Sequence, residues 1–91
     1  MSTVRIPPVL RETVGGSRSL PADGATVSEV LSDLFARYPA LRERVTDGGE
    51  LSPFVNVYVN DRDVRYREGL ETAVDANDTV ILLPAMAGGG R

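Results

Sequence analysis

Between Ser2 and Ile6 apolar and polar side chains alternate, with Val4 and Ile6 on one side and Thr3 and Arg5 on the other. That period of two predicts a half-buried strand, ended by Pro7-Pro8. Val9 and Leu10 are expected in a loop. Thr13-Val14-Gly15-Gly16 then offers a tight reversal into a weaker strand from Arg18 to Pro21, completing an N-terminal hairpin. After a turn at Ala22-Asp23-Gly24-Ala25, the period changes. Thr26-Val27-Ser28-Glu29 has the form of a capping box, and Val27, Val30, Leu31, Leu34, Phe35 and Tyr38 recur at helical spacing. Ser28, Glu29, Ser32, Asp33 and Arg37 occupy the opposite face. Pro39 disfavours a helical Tyr38, so the helix should stop there.

Leu41 to Val45 can add one more helical turn before a loop at Asp47-Gly48-Gly49. From Phe54 to Asn60 the alternation returns: Val55, Val57 and Val59 should face the helix, while Phe54, Asn56 and Tyr58 face solvent or a partner. Asn60 to Asp63 reads as a turn into a short strand at Val64 to Tyr66, and Leu70 to Val74 as a crossing segment. After a turn at Asp75-Ala76-Asn77-Asp78, the run Thr79-Val80-Ile81-Leu82-Leu83 reads as a strand buried on both faces and stopped by Pro84. Hairpin, helix, strand, short strand, strand is the element order of an α+β domain. One main helix can then cover only one face of a mixed sheet of four to five strands.

Composition changes this picture mainly by exclusion. The 91 residues suffice for one domain, 1–84, followed by a glycine-rich tail, 85–91, expected to be flexible. With no Cys and no His, the chain has no thiolate nucleophile, Ser-His triad or zinc-thiolate site. Every basic side chain is Arg, so no lysine is present for Schiff-base chemistry or acylation. A net charge of −3 argues against nucleic acid. Arg5, Arg11 and Arg18, and Arg62, Arg65 and Arg67, form two basic groupings that read as solvated faces. Asp61 with Asp63, and Asp75 with Asp78, sit beside Asn at predicted turns, where they serve the backbone and not a metal. Gly15-Gly16 and Gly48-Gly49 lack a phosphate loop's context and read as hinges. No apolar segment reaches membrane-spanning length and no secretory h-region opens the chain, so the expectation is a cytoplasmic protein with no membrane partner.

The closing stretch Asp75-Ala-Asn-Asp-Thr-Val-Ile-Leu-Leu-Pro84-Ala85-Met86-Ala87-Gly88-Gly89 resembles the C-terminus of ubiquitin-like (β-grasp) sulfur carriers. These include the small subunit of molybdopterin synthase, the thiamine-biosynthesis sulfur carrier and the carrier that feeds cysteine synthesis. The similarity is closest to the last, because Phe54 to Arg65 and Val4-Arg5-Ile6-Pro7 resemble it too. The resemblance implies a β-grasp sheet with its first and last strands parallel in the middle. It also implies a protein co-substrate that is not an enzyme and binds no cofactor.

Its reactive group would be its terminal glycine carboxylate, adenylated by an E1-like partner that uses ATP and magnesium, then converted to a thiocarboxylate. A sulfur-accepting synthase would receive the sulfur. Carriers of this class end at Gly-Gly, whereas this chain continues through Gly90 to Arg91. The resemblance therefore implies Gly88 and Gly89 as the working residues after a metalloprotease removes Gly90-Arg91, with Gly90 as the alternative end. Phe54, Tyr58, Leu83, Pro84, Met86 and Ala87 are the expected partner-binding surface. A monomer that forms transient complexes is expected. Two alternatives stand beside the carrier: a modifier conjugated to lysines of other proteins, and a ubiquitin-like interaction module with an inert tail.

Overall fold

The computed structural model describes residues 2–48 and 50–84. Strand β1 (Ser2–Arg5) pairs antiparallel with β2 (Ser19–Ala22). Helix α1 (Val27–Arg37) follows, then α2 (Pro39–Val45), strands β3 (Thr46–Asp47) and β4 (Glu50–Leu51), β5 (Val55–Val59), β6 (Arg62–Asp63) and β7 (Thr79–Pro84). Five strands form one sheet in the order β2-β1-β7-β5-β6, in which β1 and β7 run parallel at the centre, as the resemblance implies. β3 and β4 form a separate two-stranded pair.

The start of α1 is set locally, as its sequence predicts. The Glu29 amide donates to Thr26 Oγ1 at 3.2 Å, and Glu29 Oε1 accepts from the amide of Ala25 at 2.8 Å. The reciprocal bond thus lands one residue earlier than in the standard box. Val27, Val30, Leu31 and Leu34 turn inward and are buried, with Phe35 and Tyr38 packed at the margin of the core. Beneath them lie Val4, Val57, Val80 and Leu82, each completely enclosed. Burying such a side chain contributes about 1.5–3 kcal/mol, so this helix-on-sheet layer is a principal source of stability.

Four expectations need correction, and the crossing segment, whose type its sequence leaves open, takes a definite form. Residues Pro8–Val14 form a 3-10 helix and not a loop, because Leu10 and Val14 turn down into the core. The loop around Gly48 is closed by the β3–β4 pair, with Gly48 at φ 64 as a left-handed turn residue. Val64–Tyr66 is a 3-10 turn, the short strand lying earlier at Arg62–Asp63. Asp63 Oδ1 accepts from the Arg65 amide at 2.9 Å and so curls the chain off the sheet edge. The crossing segment contains a 3-10 turn at Gly69–Glu71 and then a bridge between Ala73 and Thr26. The fourth correction concerns β7, which is buried on one face only.

Val80 and Leu82 are enclosed under α1, whereas Ile81 is half-buried and Leu83 is 41% exposed. No helix layer covers that second face. Pro84 also belongs to the strand, opposite Val55. β1 pairs only as far as Ile81, so the amide hydrogen that Pro84 lacks is not required by that neighbour.

Candidate functional site

The last described stretch of the chain is the middle strand of the five-stranded sheet. β7 pairs with β1 from Thr79 to Ile81 and with β5 from Val80 to Pro84, so its neighbours grip it on both sides for part of its length. Residues 85–91 follow directly. The expected site residues Met86, Ala87, Gly88, Gly89, Gly90 and Arg91 lie outside the described residues.

Around Pro84, the open face of the sheet gathers the remaining expected residues. Leu83 stands opposite Asn56, and Tyr58 stands opposite Ile81. Tyr58 is therefore a diagonal neighbour of Leu83 on the same face. Phe54, immediately before β5, is 61% exposed. A large aromatic and a leucine left in water beside the strand end form an apolar patch that folding does not use.

Arg65 is a residue that sequence reasoning set among solvated faces and the structure puts to work. Its guanidinium donates to Asn56 Oδ1 at 2.8 Å and to the Val55 carbonyl at 3.0 Å. β6 pairs only with Tyr58 and Val59, leaving the start of β5 without a strand at that edge. Arg65 fills the vacancy with a planar fork that suits two acceptors. Nothing in the sequence spacing signals this, since the chain must first turn through β6.

At the other end of β7, the polar residues serve the turn. The Asp75 amide donates to Asp78 Oδ2 at 2.9 Å, and Asn60 Nδ2 donates to Asp78 Oδ1 at 3.0 Å. These two bonds, the first foremost, hold the Asp78 carboxyl below its ordinary value, because they favour the charged form. Asn60 adopts φ 59 and also accepts from the Thr79 amide at 3.1 Å. Among the described residues, no three of His, Cys, Asp and Glu converge in a way that could hold a metal ion. Nor is any described helix long and apolar enough to cross a membrane.

A central, well-anchored strand that ends beside an uncovered apolar patch and then runs into glycines suits delivery of a chain terminus. Comparison with known proteins says which delivery. The sequence matches the ThiS family over residues 4–89. The chain belongs to that family. It is 50% identical over 90 residues to the sulfur carrier protein CysO of Mycobacterium tuberculosis, spanning 96% of this chain and 97% of the relative. A chain in the crystal structure of the Amycolatopsis orientalis BexX/CysO complex superposes with a TM-score of 0.90 at 46% identity, covering 98% of this chain and 100% of that one. Small archaeal modifier protein 1 from Methanosarcina acetivorans superposes with a TM-score of 0.87 at 33% identity, covering 97% and 95%. The architecture is therefore β-grasp. This ThiS-family chain stands with the ubiquitin-like sulfur carriers, which are substrates of enzymes and not catalysts.

Proposed function

We propose that this ThiS-family chain carries sulfur as a C-terminal thiocarboxylate for the biosynthesis of cysteine or another sulfur-containing metabolite. The observation that carries the reading is the 50% identity to a CysO sulfur carrier over almost the whole of both chains. The family match ends at Gly89, which supports Gly89 as the mature terminus once a metalloprotease has removed Gly90-Arg91.

The chemistry follows from what a glycine carboxylate lacks. As an anion it is a poor electrophile. An E1-like partner holding ATP and magnesium lets a carboxylate oxygen of Gly89 attack the α-phosphorus, with pyrophosphate leaving. The acyl adenylate that results accepts a sulfide equivalent at its carbonyl carbon and expels AMP, leaving a thiocarboxylate. A sulfur-accepting synthase then uses that sulfur as its nucleophile. Glycines at 88 and 89 suit this, since a backbone without side chains can enter a narrow channel and approach a nucleotide closely. Ordering each tail residue costs about 1–2 kcal/mol, so the body of the protein must supply docking contacts. Phe54, Tyr58 and Leu83 on the open face, with Pro84 at the strand end and Met86 and Ala87 next in the sequence, are the surface we assign to that docking. The resemblance of the fold to an archaeal modifier protein favours one second reading, conjugation of the same glycine to lysines of other proteins.

Intact-protein mass spectrometry tests the proposal, on material from the native cell and again after incubation with the activating enzyme, ATP and a sulfur source. Loss of Gly90-Arg91 followed by exchange of one oxygen for sulfur is the expected result. An unchanged full-length mass under both conditions overturns it. Branched peptides bearing the tail on other proteins would transfer the assignment to the modifier.

A further inference from the structure

The sheet end at which β7 finishes carries a charge pattern that the carrier chemistry leaves unused. Register brings three chain segments together there: β1 runs out through Ile6 and Pro7, Arg18 leads into β2, and Leu83 and Pro84 close β7. Between them lies a cleft of 440 Å³. Arg5, Arg11 and Arg18 line it, Pro8, Ile81 and Leu83 contribute apolar surface, and no carboxylate is among its described lining residues.

The chain has more acidic than basic side chains, 13 against 10, so this is a local concentration against the overall sign. Asp61, Asp75 and Asp78 sit at the opposite end of the sheet, around the turn from β5 and the turn into β7. Arg11 Nε donates to the Ile6 carbonyl at 3.1 Å, which fixes the base of its fork. Arg5 and Arg18 have no side-chain hydrogen bond or ion pair among the described residues. Like charges gathered without partners are unfavourable to the fold and favourable to an anionic visitor.

We propose that this cleft binds an acidic segment of a partner protein, in which carboxylates flank an apolar side chain. Charge complementarity sets the sign of the visitor. The apolar surface selects a peptide over a free inorganic anion, since phosphate gains nothing from Ile81 and Leu83 while a leucine between two acids buries itself there. Bidentate pairing lets each guanidinium take one carboxylate. The chain's own residues 85–91 contain no Asp or Glu, so they offer it at most a single terminal carboxylate, against three guanidiniums. Because Leu83 both lines the cleft and precedes the tail by two residues, an enzyme that takes the tail reaches the cleft with the same surface. That the partner is the activating enzyme rests on the carrier reading; the preference of the cleft for an acidic peptide does not.

The test is an NMR titration of the isotope-labelled full-length chain with the peptide acetyl-Glu-Asp-Leu-Glu-Asp-amide and with its Gln-Asn-Leu-Gln-Asn counterpart. Saturable shifts are expected at the amides of Arg5, Ile6, Ser19 and Leu83. Binding should weaken at least about fivefold for the uncharged peptide and for Arg5→Gln/Arg18→Gln, and survive in Arg5→Lys/Arg18→Lys. Both arginines are exposed, so neither variant endangers folding. Absent shifts, shifts scattered over the surface, or equal effects of the acidic and uncharged peptides would overturn the proposal. Pyrophosphate binding as tightly as the peptide would also overturn it, making the cleft a small-anion site. None of these readouts requires a thiocarboxylate, so failure of the mass-spectrometric test and failure of this one are separable.

Discussion

The Arg65 guanidinium donates to the carbonyl of Val55, the residue that faces Pro84 across the central ladder. A side chain thus stands where a longer β6 would continue along the edge of β5. Removing it leaves the Val55 carbonyl and the Asn56 side chain to water, so Arg65→Ala should lower stability by about 1–2 kcal/mol in urea unfolding. Arg65→Lys should recover less than half of this, because one ammonium cannot reproduce a two-pronged fork.

The open face should separate folding from delivery. Phe54→Ala and Leu83→Ala remove exposed groups, and their unfolding free energies should stay within about 1 kcal/mol of the parent. In ATP–pyrophosphate exchange with the activating enzyme, the double variant should need roughly tenfold more carrier for half-maximal rate, with the rate at saturation little changed. An unchanged requirement would remove these residues from the docking surface.

Gly24 meets the first turn of α1 at close range. A Cβ there would lie 2.5 Å from the Val30 amide nitrogen and 2.7 Å from the Glu29 Cβ. The Glu29 carbonyl carbon at 2.8 Å and the Val30 nitrogen are helix backbone with little room to give, so Gly24→Ala should cost about 1–3 kcal/mol, read as a lower melting temperature. Gly15→Ala serves as a contrast: nothing lies within 4 Å, and any loss comes from its φ of 68 alone.

Asp78 gives the fold an acid-sensitive clasp. Its carboxyl titrates below the ordinary 3.8 because the Asp75 amide and the Asn60 amide group favour the charged form. The stabilisation is fully present above 3.8 and is lost as pH falls through the depressed value. Asp78→Asn should therefore be less stable than the parent at neutral pH, with the two unfolding curves converging under acid. Parallel curves at every pH would show that the charge contributes nothing.

What was legible in the sequence was local. Thr26 and Glu29 lie three residues apart, and one turn of helix satisfies both. Val55, Val57 and Val59 alternate because a single helix covers one side of β5. The failures came from partners distant in the chain. Leu10 and Val14 fold into a 3-10 helix because the core shared with Leu41 and Val45 of α2 receives them, a fact that no nearby residue announces. Val64 to Tyr66 has strand-like composition, but only Val64 is buried and Tyr66 is 87% exposed, so a strand would have had nothing to cover it. The same limit hid the cleft. Arg5, Arg11 and Arg18 read as a grouping on a solvated face until pairing of β1 with β2 set Arg5 and Arg18 at one end of the sheet. The β7 run suggested burial on both sides through its composition alone, while Leu83 stays in water because α1 and α2 both lie elsewhere.

The central placing of β7 also has a mechanical consequence. A pull along the tail is directed along the strand axis, so the ladders to β1 and β5 are loaded in shear and must yield together, not unzip pair by pair. Anchoring by Val80 and Leu82 in the core adds resistance to sliding. If enzymes thread, modify and withdraw its last residues in turn, as the proposed function requires, the protein can thus be tugged repeatedly by its end while the body keeps its shape.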